Sequence, residues 1–240
     1  MQFLIIESKM EKQMTTEERH MATESSSSQP NFVLMGPPGC GKGTFCFYMT
    51  RKKGYYQICL GDIIRFHKKN NTEVGKSIAA KDGFVDDELA FGIIEQEVRG
   101  VVKNNRPFIV DGFPRNVPAY TFLTKVFKNL GIESTLTFLH FDIDDKSCID
   151  RIDRRQVCFD CAAVFNSTTR IPKQELTCDN CGGVLEVRDG DNVASTVKRL
   201  ASYRAHTEPL VETARKEFKV ITVDAKSPIK DCLKFYESLA

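Results

Sequence analysis

Nine consecutive residues carry the clearest chemistry in this 240-residue chain: Gly36-Pro37-Pro38-Gly39-Cys40-Gly41-Lys42-Gly43-Thr44. They follow a short apolar run and open a helical pattern. Glycines let the backbone curl so that its N–H groups point inward at phosphate oxygens, and a helix N-terminus adds positive potential. Lys42 then reaches the β- and γ-phosphates as a point charge. One detail departs from the general phosphate-loop pattern, which wants Ser or Thr directly after the lysine. Here Gly43 intervenes before Thr44.

A second group is metal-like. Cys158-Phe159-Asp160-Cys161 and Cys178-Asp179-Asn180-Cys181 are C-x-x-C pairs separated by sixteen residues. Four thiolates at this spacing can close a tetrahedral Zn²⁺ site, each pair forming one knuckle. Four protein ligands would leave no open position, so such a site is structural. Paired disulfides and a redox C-x-x-C are the rival readings. Against disulfides stand five further scattered cysteines and the lack of a secretory signal pattern at the N-terminus, both expected of a reducing compartment. The segment around these cysteines holds few apolar residues, so ligation would have to supply its folding energy.

The elements that must hold these groups read as alternating strands and helices. Phe32–Met35, Phe108–Val110, Leu136–Phe141 and Val220–Val223 are brief, partly β-branched apolar runs bounded by polar or turn residues, the pattern of buried strands. Leu89, Ile93, Ile94, Val98, Val101 and Val102 mark one helix face, and Ile229, Cys232, Leu233 and Tyr236 another. The fold class expected is α/β, a parallel sheet covered on both faces. With 34 Lys+Arg against 32 Asp+Glu, the chain lacks the charge excess of a dedicated nucleic-acid surface. No apolar run approaches the ~20 residues of a membrane span. Residues 1–30 differ in composition, with five glutamates against three cations and a Ser25–Ser28 run, and read as a flexible extension or a short docking helix. Neither a signal nor a transit peptide fits them, so the expected compartment is cytoplasmic.

The loop's Gly between Lys and Thr resembles that of adenylate kinases and related nucleoside monophosphate kinases. Three further segments resemble the family in the right order: Gly61-Asp62-Ile63-Ile64-Arg65 (GD-x-x-R), Asp111-Gly112-Phe113-Pro114-Arg115 (DGFPR), and Arg188 to Arg199 with Leu200, Tyr203, Thr207, Pro209 and Leu210 (RxDD…RLxxY…TxPL). The resemblance covers residues 32 to 240. It implies a P-loop NTPase-type fold with a five-stranded parallel sheet (core 31–59, 86–153 and 189–240), a helical NMP-binding segment at 60–85 and a zinc-containing lid at 154–188. It also implies reversible Mg²⁺-dependent phosphoryl transfer between ATP and AMP by a monomer, with no nucleic-acid or membrane partner. By this resemblance Lys42, Asp111, Arg115, Arg155, Arg188 and Arg199 are catalytic, Asp111 ordering Mg²⁺ through water. Gly39, Cys40, Gly41, Gly43, Thr44, Arg151, Arg155 and Phe165 bind ATP, with Arg151 against the donor base. Leu60, Arg65, Gly83, Phe84, Val85, Gly112, Arg115, Ala119, Arg188 and Arg199 bind the acceptor, with Arg65 and Arg115 gripping its phosphate. Lid closure would carry Arg155 and Arg188 onto the phosphates and expel water.

Three departures bear on specificity or rate. Leu60 stands where the family usually has Thr, and Ala119 where it has a base-reading Gln, so two polar acceptor contacts are missing. Asn116, directly after Arg115, occurs also in UMP/CMP kinases, which leaves CMP, UMP or a GTP donor as alternatives to the ATP–AMP pair; backbone around Gly83–Val85 is the other way to read adenine. Gly190 replaces the first carboxylate of the family's Asp pair, and Asp191 keeps the second. Phe165-Asn166 replaces a common Tyr-His.

Overall fold

The computed structural model describes residues 29–80 and 85–239. Gly83 and Phe84 lie outside the described residues, as does the N-terminal extension up to residue 28. The main sheet is five-stranded and entirely parallel, in the order β2-β3-β1-β4-β8. Its strands are β1 (Asn31–Met35), β2 (Tyr56–Cys59), β3 (Phe108–Asp111), β4 (Leu136–Asp142) and β8 (Lys219–Asp224).

Strand alternation decides which side chain goes where, since successive residues point to opposite faces. Val33, Met35, Val110, Leu136 and Phe138 pack on one face against α4 (Asp87–Lys103), α5 (Val117–Leu130) and α8 (Pro209–Glu217). Phe32, Leu34, Ile109, Leu139 and Phe141 pack on the other, against α1 (Lys42–Lys53), α6 (Asp145–Asp153), α7 (Val193–Ser202) and α9 (Ile229–Glu237). The expected α/β class and the two-sided cover are therefore observed. Helix ends follow side-chain chemistry: Asp86, Asn116, Asp144 and Asn192 each accept an N–H from the third residue onward, satisfying one open donor.

Two smaller parts flank the sheet. α2 (Leu60–Lys69) and α3 (Glu73–Ala80) follow β2 directly. Between α6 and α7 lies a separate three-stranded antiparallel sheet, β6-β5-β7, made of β5 (Arg155–Cys158), β6 (Val164–Asn166) and β7 (Leu185–Glu186).

One long helical run, from Val193 to Glu217, is interrupted by a π-helical turn at Tyr203–Thr207. Pro209 has no N–H to donate, and the ladder widens just before it, with Glu208 N donating to Tyr203 O at 2.9 Å. The turn is tied down: Arg204 donates to Asp145 Oδ1 (2.6 Å) and to the Ile143 carbonyl (3.1 Å), and Thr207 Oγ1 donates to the Arg115 carbonyl (2.8 Å). The last contact fixes the backbone of the Asp111–Arg115 loop from the far end of the chain.

Candidate active site

The phosphate loop spans the end of β1 and the start of α1. Gly39 sits at φ +85°, and a Cβ there would lie 2.8 Å from the Cys148 carbonyl, so only glycine fits. Gly41 caps α1 without a side-chain bond, leaving the first amides of the helix open to an anion. Lys42 Nζ folds back onto its own loop, donating to the carbonyls of Gly36 (2.7 Å) and Pro37 (3.0 Å), with Cys40 Sγ 3.3 Å away. It thereby braces the loop while standing at the mouth of the helix.

Around this loop opens a cleft of about 790 Å³. Gly39, Cys40, Gly41, Gly43, Thr44, Arg65, Asp111, Gly112, Arg115, Arg151, Arg155, Phe165, Arg188 and Arg199 all line it, together with Lys42. Of the expected acceptor residues, Leu60, Val85 and Ala119 do not. Ala119 is buried in the core beneath α5, and Leu60 packs partly against the same core.

Charge is arranged so that an anion is needed to balance it. Burial raises the Asp111 carboxyl and Asp62 adds to the effect, while Lys42, Arg115 and Arg188 oppose them. Gln57 Nε2 donates weakly to Asp111 Oδ2 at 3.5 Å. A nearby cation favours the ionised form of such a group, which fits Asp111 for holding a metal–water complex. Burial lowers Arg188 and Arg199, and Arg155 lowers both further. Arg188 Nε is buried with no partner among the described residues. Crowded, mutually repelling guanidinia are a poor arrangement alone and a good one around phosphate. On the acceptor side burial would raise Asp62, but the Arg65 guanidinium paired with it wins and holds it below its usual value.

Asp191 lies between Arg155 of the small sheet and Arg199 of α7. Arg155 donates to it through Nε (2.7 Å) and Nη2 (2.6 Å), and Arg199 Nη1 lies 3.8 Å from the same carboxylate, which is 2% exposed. Gly190 sits at φ +82°, a backbone conformation that disfavours the aspartate usual in that place. One carboxylate thus serves two arginines. Asp191→Asn leaves the largely enclosed Arg155 and the half-exposed Arg199 without their anion, and losing hydrogen bonds to a charged partner costs about 1.5–3 kcal/mol. The expected result is a lower Tm together with a kcat loss, read by thermal melting and steady-state kinetics. An unchanged kcat would show that Asp191 does not position the arginines.

In the small sheet, the Sγ atoms of Cys158, Cys161, Cys178 and Cys181 all lie within 4.8 Å of one another. Cys158–Cys181 and Cys161–Cys178 are 3.4 and 3.5 Å apart. A Zn–S bond of about 2.3 Å sets tetrahedral S···S edges near ~3.8 Å, so the set fits zinc. The two knuckles match: Ala162 N donates to Cys158 O and Gly182 N to Cys178 O, with φ of +63° and +75° at those residues. No disulfide joins any of the nine cysteines.

The adenylate kinase family model matches residues 34–219. The chain belongs to the adenylate kinase family. It is 34% identical to the adenylate kinase of Caldicellulosiruptor saccharolyticus over 206 residues, 84% of this chain and 94% of that protein. It is 35% identical to that of Acetivibrio thermocellus and 34% to that of Borreliella burgdorferi, each over 205 residues, 84% of this chain and 94% of the relative. Set beside the family resemblance, the adenylate kinase cleft includes groups that sequence reasoning did not single out. Gln57, Arg170 and the loop Ala225–Pro228 all line it. These meet the site through tertiary packing, whereas Asp62 and Thr207, which also line the cleft, were marked by the GD-x-x-R and TxPL patterns.

Phe165 lines the cleft from inside the small sheet. Its ring is 1% exposed and packs with Cys158, Cys161, Cys178, Leu185 and Phe47 in the core of the small sheet. Phe47 comes from α1, and a Cβ on Gly43 would lie 3.8 Å from Val164, so the small sheet rests on the phosphate-loop helix.

Proposed function

We propose that the chain catalyses reversible transfer of the ATP γ-phosphoryl group to AMP, giving two ADP, and so balances the adenine nucleotides. The observation that carries this is one cleft lined by Lys42, Asp111 and the arginines Arg65, Arg115, Arg155, Arg188 and Arg199. Phosphoryl transfer asks for positioning and charge neutralisation rather than covalent chemistry from the protein. The α1 amides and Lys42 hold the donor phosphates, and Arg65 and Arg115 hold the acceptor phosphate in line with them. Arg155, Arg188 and Arg199 stabilise charge on the moving group. Asp111 and Thr44 would hold Mg²⁺ through its waters, and the ion supplies further neutralisation of the phosphates. The lid, residues 154–188, excludes water by lying over the loop.

Zinc on the four cysteines, a monomeric state without nucleic-acid partner, and a cytoplasmic location complete the reading. Unpaired thiols throughout the chain support a reducing compartment. No described helix is long and apolar enough to cross a membrane. A second reading keeps the machinery but changes the acceptor, because neither Leu60 nor Ala119 presents a polar group to the cleft.

Steady-state transfer from Mg²⁺–ATP to AMP, CMP, UMP and GMP in parallel tests both. AMP is expected to give the highest kcat/KM. A preference for another monophosphate replaces the acceptor, and transfer to none of the four defeats the kinase reading.

A further inference from the structure

Phe165 lines the cleft but is 1% exposed, so its ring offers a donor base almost no face of its own. The Arg170 guanidinium lies over the Phe165 ring, 4.8 Å from its centroid, and 5.7 Å from the Phe47 ring. Its Nη1 donates to the Val164 carbonyl at 3.0 Å, which fixes the plane at one corner. The backbone is fixed too: Arg170 and Asn166 exchange N–H···O bonds of 3.2 and 3.1 Å across an isolated bridge. No carboxylate among the described residues pairs with Arg170, although it is only partly exposed. It lines the cleft.

Its neighbours place it at the donor end. Asn166 Nδ2 donates to the Arg151 carbonyl (3.2 Å), and Arg151 Nη2 donates to the Ala225 carbonyl (2.7 Å). Arg151, Asn166, Thr169, Arg170 and Ala225–Pro228 thus form one continuous wall around this end of the cleft. A guanidinium held against aromatic rings is a flat, cationic platform where it meets the cleft. Such a platform attracts the π-face of a nucleobase, more strongly for the larger purine ring system.

We propose that Arg170 is the donor-base platform, on which the purine of the nucleoside triphosphate stacks, with Phe165 as its backing. This deepens the proposed function, resting on its assignment of the triphosphate to this end of the cleft. The wild-type protein is then selective for purine over pyrimidine triphosphates, because the phosphate contacts are common to both.

Calorimetric titration with ATP, GTP, CTP, UTP and inorganic triphosphate tests this in the zinc-loaded full chain, with zinc content confirming the fold of each variant. Arg170→Ala is expected to weaken ATP and GTP about ten-fold, the scale of a lost cation–base stack. Inorganic triphosphate, which has no base, should bind within two-fold of wild type. Arg170→Gln retains an N–H donor for the Val164 carbonyl and should still behave like Ala, and Arg170→Lys, a charge without the plane, should recover little. Unchanged ATP binding in Arg170→Ala overturns the proposal. So does an equal loss for triphosphate, or full rescue by Gln or Lys, since each would assign Arg170 to the phosphates or to lid structure. A wild type that binds ATP but transfers nothing overturns the kinase reading alone and leaves the titrations decisive; one that binds no ATP overturns both.

Discussion

Lys42→Met is expected to lower kcat/KM by about a thousand-fold, near 4 kcal/mol of transition-state stabilisation. The loss has two sources in the structure. Lys42 is the one ammonium standing at the open amides of α1 among the cleft-lining residues of the loop, and Met leaves the developing phosphate charge without it. The ammonium also braces the loop through the Gly36 and Pro37 carbonyls, and Met cannot donate to either. Arg is no substitute, because its planar fork is larger and cannot reproduce a compact point charge between two carbonyls. Steady-state kinetics and a melting curve on the same preparation separate chemistry from folding. A variant within a few-fold of wild-type kcat/KM removes Lys42 from the catalytic machinery.

Chelation is expected to have a comparably large effect by a different route. The β6-β5-β7 sheet has a small core, and three of its buried members are thiols, Cys158, Cys161 and Cys178, with Ala163, Phe165 and Leu185 around them and the exposed Cys181 completing the set. Without an ion, four crowded sulfurs offer little cohesion, and ligation becomes the folding energy of the segment. Chelation should therefore raise amide exchange across residues 155–186 while leaving the five-stranded sheet protected, and kcat should collapse with it. Re-addition of Zn²⁺ should restore both. Full activity and an ordered small sheet in demonstrably metal-free protein would sink the idea of a metal-built lid.

The parallel sheet was readable because β1, β3 and β4 are buried on both faces and therefore apolar at nearly every position. β2 was not, since Tyr56-Gln57-Ile58-Cys59 is only four residues long and places Gln57 and Cys59 toward the cleft. The lid strands, two to four residues each, carry no periodicity at all. In the site, the glycine loop, the arginine positions and the cysteine spacing were legible, because each is a local pattern with its own chemistry. What could not be read is who holds them. Sequence marks Gly190 as a missing carboxylate, whereas the geometry makes Asp191 the common anchor of residues 155 and 199, forty-four positions apart. The same holds for Phe165, aromatic and well placed in the chain, which the packing of Phe47 and Arg170 turns away from solvent. Ile229, expected on a buried helix face, is 43% exposed at the first position of α9.

The π-helical turn before Pro209 can be restated as a matter of phase. Each residue of a regular helix advances the side chains by about 100°, so one extra residue rotates everything after it by roughly that angle. Upstream of the turn, Arg199 lines the cleft; downstream, Leu210, Val211 and Ala214 bury themselves on the opposite face of the sheet from Leu200. A helix of uniform pitch would keep both segments on one angular clock. The turn resets that clock, so that one continuous rod serves two faces of the molecule.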